Sequence, residues 1–255
     1  GGNMGGALIG GLTQKCCAPS DIALYEKDAQ KAAAFKEMGI NTVESASAAE
    51  AASEIIVFSV KPNIIDSVLS EMSGDKNKIY LSIAAGVTVA HLEEMLGADK
   101  KIVRAMPNTP AQVGCGMTVI SPNKNVDDED IKKVKMLLSA VGMVQQMDEK
   151  FMSVATALHG SSPAYVYMFI DAMADAGVKY GLTKQQALTL AAQAVAGSAE
   201  MVLSCGEHPE KLKDNVCSPG GTTIASVCDL EKNGFRGIVQ SAVCACVAKA
   251  DEMSK

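Results

Sequence analysis

The sequence predicts an α/β protein, with a doubly wound N-terminal domain over residues 1–148 and an all-helical domain over residues 149–255. Three observations predict it. Short β-branched runs alternate with helical stretches up to Asp148, the pattern of βαβ units and a parallel sheet. Beyond Asp148 only helical periodicity remains, broken at Gly160, Gly181, Gly206 and Gly234. A glycine cluster, GGNMGGALIGGL at residues 1–12, stands ahead of the first strand-like run.

The elements follow in order. The cluster reads as a turn running into a helix over 5–16, with Ala7, Leu8, Ile9 and Leu12 as its apolar stripe. IALY (22–25) is a strand, a helix over 28–38 stops at Gly39, and another helix spans 47–53. EIIVFSV (54–60) is a strand, and Pro62 opens a helix over 62–72, where its missing N–H is no loss. KIYLSIA (78–84) is a strand, Thr88 starts a helix over 88–96, and KIVRAM (101–106) is the next strand. A strand over 113–120, an acid-started helix over 127–141 and the strand MVQQM (143–147) complete the domain. Helices are then expected at 151–158, 163–180, 184–205, 208–216, 222–232 and 235–253.

Composition narrows the function. Of 255 residues, 48% are hydrophobic and 20% charged, enough apolar material for a core and little sign of disorder. Net charge is 23 − 29 = −6, and aromatics are only 4% with no Trp, so neither nucleic acid nor an anionic membrane is an expected partner. The eight cysteines form no C-x-x-C and have three histidines to join them, so no metal site is expected. Reduced thiols and no visible signal peptide point to the cytoplasm. The longest apolar run, Ala187 to Leu203, carries Gln193 and Glu200 and is expected to be too short and polar to cross a bilayer.

The glycines carry chemistry. With one more glycine before Gly1, Gly2 and Gly5 complete G-x-G-x-x-G, and Glu26 stands 21 positions beyond Gly5 at a strand end. That spacing is the dinucleotide fingerprint of a Rossmann-like domain, so the native protein is expected to carry roughly five to ten further residues, an apolar strand ending in glycine. Three loops follow parallel strands: SVKPN (59–63), AAGVT (84–88) and AMPNTPA (105–111). In open α/β sheets, ligands bind at such ends. In the helical half, VCSPGGTTIASV (216–227) reads as an anion nest, with the N–H groups of Gly221, Thr222 and Thr223 free at a helix start. A carboxylate is a suitable guest.

Taken together, GNMGGA (2–7), VKP (60–62), MPNTP (106–110), GSSPAY (160–165) and DNVCSPGGTTIASVCDLEKNGFRGIVQSAV (214–243) resemble pyrroline-5-carboxylate reductase over nearly the whole chain. The resemblance implies reduction of 1-pyrroline-5-carboxylate to L-proline by hydride transfer from NADPH, with NADH the alternative, in a homodimer or higher oligomer built through the helical domain. It implies that Gly2, Asn3, Met4 and Gly5 hold the pyrophosphate, with Val60, Lys61 and Pro62 along the cofactor. Ala84, Ala85 and Gly86 would line the nicotinamide beside Met106, Pro107 and Asn108. Ser218, Gly221, Thr222 and Thr223 would bind the substrate carboxylate and ring nitrogen, Thr223 as the catalytic contact.

Two features depart from that pattern. His159 stands where the family usually has serine, in S-G-S-G-P-A-Y, and Ser162 stands for its second glycine; His159 reads as a packed or exposed histidine rather than a catalyst. Glu26-Lys27 replaces the small or basic pair of NADPH-using relatives. A strand-end Glu accepts from a ribose 2′-hydroxyl and repels a 2′-phosphate, while Lys27 offsets that, so both cofactors stay open. Two rival readings are a β-hydroxyacid dehydrogenase, which needs a catalytic lysine soon after residue 160 where this chain has Tyr165 and Tyr167, and a nucleotide-sensing protein without turnover.

Overall fold

The computed structural model describes residues 2–253. The chain divides into two compact units, Gly1–Ser161 with Val247–Lys255, and Ser162–Cys246.

The first unit is built on two sheets. Helix α1 (Asn3–Lys15) precedes a parallel pair, β1 (Ala23–Leu24) and β2 (Asn41–Thr42), linked by α2 (Ala29–Glu37). Asp28 caps α2 by accepting the N–H groups of Gln30 and Lys31. Helix α3 (Ala46–Ala51) leads to a five-stranded sheet in the order β3 (Ile55–Phe58), β4 (Ile79–Ser82), β5 (Lys101–Met106), β6 (Gly116–Pro122) and β7 (Gly142–Gln146). Helix α4 (Ile65–Leu69) joins β3 to β4, α5 (Val89–Leu96) joins β4 to β5, and α6 (Asp128–Ser139) joins β6 to β7.

Four sequence expectations need correction. The sheet is not wholly parallel, because β6 runs antiparallel to β5. No crossover helix separates those two strands, and a parallel return needs a dozen or more residues. The two-residue strand β2 escaped notice, being too short to show alternation. The helix expected over 62–72 is a 3-10 turn, Pro62–Ile64, followed by only five residues of α4. The helix expected over 151–158 is broken into a 3-10 turn Glu149–Phe151, α7 (Met152–Ala155) and a π-turn Thr156–Gly160.

The core lies on both faces of the larger sheet. On one face Phe58, Tyr80 and Ile102 pack with Ile65, Leu69 and Leu92 of α4 and α5; on the other, Leu81, Val103 and Ile120 pack with Leu8 of α1 and with Val134 and Leu138 of α6. One buried polar knot ties the first layer. Glu50 accepts the Tyr80 hydroxyl at 2.6 Å and the N–H groups of Ser73 and Gly74 at 2.7 and 3.1 Å. Burial works against that carboxylate, but these donors outweigh it and hold its pKa below the usual glutamate value. Burial and the same carboxylate push the Tyr80 hydroxyl up.

A depressed carboxyl pKa stabilises the fold above its unfolded-state value, and that gain is lost as pH falls through the folded value. Tyr80→Phe should therefore cost about 1.5 to 3 kcal/mol at neutral pH, the worth of a hydrogen bond to a charged group. Urea midpoints from pH 7 to pH 3 check this: the gap between variant and parent should close as Glu50 protonates, and a gap independent of pH would mean that Glu50 is not charged there.

The second unit is helical: α8 (Ser162–Lys179), α9 (Lys184–Cys205), α10 (Pro209–Val216), α11 (Thr222–Lys232) and most of α12 (Phe235–Met253). Thr183 and Gln186 form a capping box at the start of α9. Within this unit Arg236 joins Glu231 and Glu210, and Lys213 joins Glu210 from the other side. Those two cations hold the Glu210 carboxyl down to about 2.

The apolar run expected to be too short and polar to cross a bilayer lies within α9, which has the bounds read from the sequence. The helix has 22 residues at a mean hydropathy of 1.3, long and apolar enough by length and composition to cross a membrane, and 6% of that stretch is buried within the chain. Leu190, Met201 and Leu203 are more than half exposed.

Candidate functional site

The glycine cluster becomes the first turn of α1. Gly2 takes the N-cap position in an extended conformation with no side-chain cap, and the helix begins at Asn3 rather than at residue 5. Among the described residues, the first N–H to find a backbone acceptor is that of Gly6, bonded to the Gly2 carbonyl at 2.8 Å. The N–H groups of Asn3, Met4 and Gly5 thus remain at the dipole's positive end, with no acid in the turn. A Cβ on Gly5 would lie 2.7 Å from Ser59 Oγ and 3.3 Å from Ser59 Cβ, so glycine lets this turn sit close against the residue that follows β3. An anionic group can approach such a helix start directly.

The parallel order β3-β4-β5 sets three strand ends on one edge. After β3, Val60 and Lys61 lead into Pro62, which opens a 3-10 turn, and Lys61 is exposed. After β4 come Ala84, Ala85 and Gly86, and after β5 come Met106, Pro107 and Asn108. The structure brings Ala84, Ala85, Gly86 and Met106 together around a cavity of about 60 Å³, with Thr156 and Arg104 also on its wall. Asn108 is already engaged, its Nδ2 donating to the His159 carbonyl and its Oδ1 accepting the Met117 N–H, each at 2.9 Å. Pro107 is buried.

Glu26 and Lys27 follow β1, in the smaller sheet. Glu26 accepts the Asp28 N–H at 2.9 Å, and Lys27 is exposed.

Arg104 and Glu149 were missed in the sequence. Arg104 is buried on β5 and donates to Glu149 Oε1 at 2.8 Å, and the same oxygen accepts the Val89 N–H at 2.9 Å. The available signal was a cation inside an otherwise apolar strand, KIVRAM.

In the helical unit, Ser218, Pro219, Gly220 and Gly221 form a tight turn. Gly220 has φ +66, open to glycine, and the Gly221 N–H closes the turn on the Ser218 carbonyl at 3.0 Å. That corrects the expected nest, since the Gly221 N–H is not free. A Cβ at Gly221 would collide with Ser218 Oγ. Gly221 is the N-cap of α11 without a side-chain cap, so the N–H groups of Thr222 and Thr223 find no acceptor among the described residues. Thr223 is half-buried and Ser218 exposed. Two donors at a helix start suit one carboxylate.

Comparison with known proteins places these features in context. Residues 149–253 match the family model described as pyrroline-5-carboxylate reductase dimerisation, and residues 1–86 match that of NADP oxidoreductase, coenzyme F420-dependent. The pyrroline-5-carboxylate reductase of Escherichia coli is 48% identical over 258 residues, covering 100% of this chain and 96% of that protein. That of Pisum sativum is 40% identical over 256 residues, covering 99% and 93%. A pyrroline-5-carboxylate reductase structure from Coxiella burnetii superposes with a TM-score of 0.94 at 34% identity, covering 100% of this chain and 96% of that one. A Plasmodium falciparum pyrroline carboxylate reductase, solved with NADP bound, superposes at 0.88 with 38% identity, covering 100% and 95%.

Proposed function

The chain belongs to the pyrroline-5-carboxylate reductase family, and from that premise we propose how its residues divide the work. The reaction is the reduction of 1-pyrroline-5-carboxylate to L-proline with NAD(P)H, the last step of proline biosynthesis. The dinucleotide supplies the hydride. We take NADPH as its expected form and NADH as the alternative, supported by the NADP-bound relative and the match over residues 1–86.

The residues fit such a cofactor. The uncapped start of α1, held on Ser59 by the absence of a side chain at Gly5, would hold the pyrophosphate through Gly2, Asn3, Met4 and Gly5. Val60, Lys61 and Pro62 would run along it, while Ala84, Ala85, Gly86, Met106, Pro107 and Asn108 would line the nicotinamide. Residues 1–148 thus serve the cofactor, and residues 149–255 serve substrate binding and dimerisation.

The observation that carries the substrate site is the uncapped α11 start, where the Thr222 and Thr223 N–H groups have no acceptor among the described residues. They would hold the substrate carboxylate, with Ser218 and Gly221 shaping the turn and the Thr223 hydroxyl on the ring nitrogen. An iminium carbon is already electrophilic, so these residues need only align it and balance its changing charge. The exposed face of α9 becomes a contact between copies in a homodimer or higher oligomer, in the cytoplasm, with neither membrane nor nucleic acid as partner.

Proline formation at saturating cofactor tests the reading, and no turnover would favour a nucleotide sensor. The cofactor's second phosphate gives a finer test. Removing the Glu26 carboxylate as Glu26→Ser should shift the NADPH-to-NADH preference toward NADPH by about five- to thirty-fold, the effect of relieving one nearby like charge. Paired kcat/KM values for both cofactors check it, and an unchanged ratio would assign the choice to Lys27 or another group.

A further inference from the structure

One set of bonds joins the end of β5 to the π-turn Thr156–Gly160. His159 Nε2 meets the Met106 carbonyl oxygen at 2.7 Å, and its Nδ1 faces the carbonyl of Ala155, the last residue of α7. In return Asn108 donates to the His159 carbonyl while anchoring the Met117 N–H at the start of β6. The side chain of Met106 rests on the same turn, since a Cβ at Gly160 would lie 3.2 Å from Met106 Cε. A carbonyl oxygen has no proton to give, so Nε2 carries one whenever the Met106 bond is made. π-turns are uncommon and concentrate at functional sites. Here the turn aims one ring and one carbonyl at the same strand end.

We propose that the His159 imidazole is a positioning residue for cofactor binding, holding the Met106–Asn108 strand end in the arrangement that borders the nicotinamide. The proposal rests on the reading that Met106, Pro107 and Asn108 line that ring. Without the Nε2 bond the strand end samples other arrangements, and cofactor affinity falls with the fraction of molecules that remain competent. Once the complex has formed the strand end is ordered again, so turnover changes little.

Steady-state kinetics with NADPH and 1-pyrroline-5-carboxylate, together with thermal midpoints, on His159→Ala, His159→Asn and His159→Gln test it. Glutamine carries an amide N–H to where Nε2 sits, whereas asparagine reaches only as far as Nδ1. The alanine and asparagine variants should raise the KM for NADPH about three- to tenfold, with kcat within about twofold, because both lose the Nε2 bond that holds the Met106 strand end. Glutamine should return KM to within about twofold of the parent, a rescue that a merely structural residue would not show. An unchanged KM in both short variants, or a glutamine variant that fails like asparagine at an unaltered thermal midpoint, overturns the proposal. Met106→Ala separates the two levels. If it too leaves the KM for NADPH unchanged, the strand end does not border the cofactor, and the underlying reading falls with the proposal. If it raises KM while the short His159 variants do not, the proposal fails alone.

Discussion

Thr223→Ala is expected to lower kcat/KM for the imine substrate by about ten- to 150-fold while the dissociation constant for cofactor barely moves. The substitution keeps the backbone donors of Thr222 and Thr223 and removes the hydroxyl together with the γ-methyl. A hydrogen bond to a charged centre is worth about 1.5 to 3 kcal/mol, which sets that range. Capping does not compete as an explanation, because Gly221 occupies the cap position and no side chain caps α11. The variant should therefore unfold close to where the parent does. Thr223→Val keeps the shape and should lose as much activity, which separates lost hydrogen bonding from a cavity. Parent-like turnover and Michaelis constant in both variants would remove Thr223 from the reaction and move the search toward Asn108.

Gly142→Ala is expected to destabilise the fold by about 3 to 5 kcal/mol, among the largest costs a single residue can impose. Two causes add. Gly142 has φ +149, a conformation that side chains rarely adopt, and a Cβ there would run into the Gly116 carbonyl. Gly116 and Gly142 face each other in the β6–β7 register, and the Gly116 N–H bonds the Val141 carbonyl at 2.8 Å. The two backbones meet with no room between them, so relief requires opening the strand pair. A thermal midpoint lowered by roughly 10 °C would match, at about 2 to 4 °C per kcal/mol for a chain of this size. Gly10→Ala is the contrast: its site in α1 has no atom within 4 Å of the added carbon, and helix propensity makes it neutral or mildly stabilising. A Gly142→Ala midpoint equal to that of the parent would show that the strands can separate without loss.

The order of strands and helices was legible because each element carries its own local signal. The apolar runs 54–60, 78–84 and 101–106 contain β3, β4 and β5, and glycines or prolines punctuate the helical half. The candidate site was legible in outline for the same reason. Glycines at residues 2 and 5, proline before a helix, and S-P-G-G-T-T are local patterns with local physical meaning. The family resemblance then assigned them roles that spacing alone could not.

The remainder depended on contacts between distant residues. That β6 turns back antiparallel follows from the lack of a crossover, but its pairing with Met106 needs the folded strand. Glu26 looked like a cofactor contact alone, whereas the fold also gives it the Asp28 N–H. Gly221 read as a free donor until the preceding turn claimed its N–H. Arg104 and His159 were a charge in a strand and a histidine out of pattern. Their partners, Glu149 and the Met106 carbonyl, lie 45 and 53 residues away. Periodicity reports which face of an element is buried, and it is a property of neighbours along the chain. Hydrogen-bond partners across such separations are chosen only when packing brings the elements together. The sequence by itself therefore determined most of the elements, the local patterns that mark candidate sites and the family, while tertiary structure decided how the shorter elements break and which residues hold the strand ends.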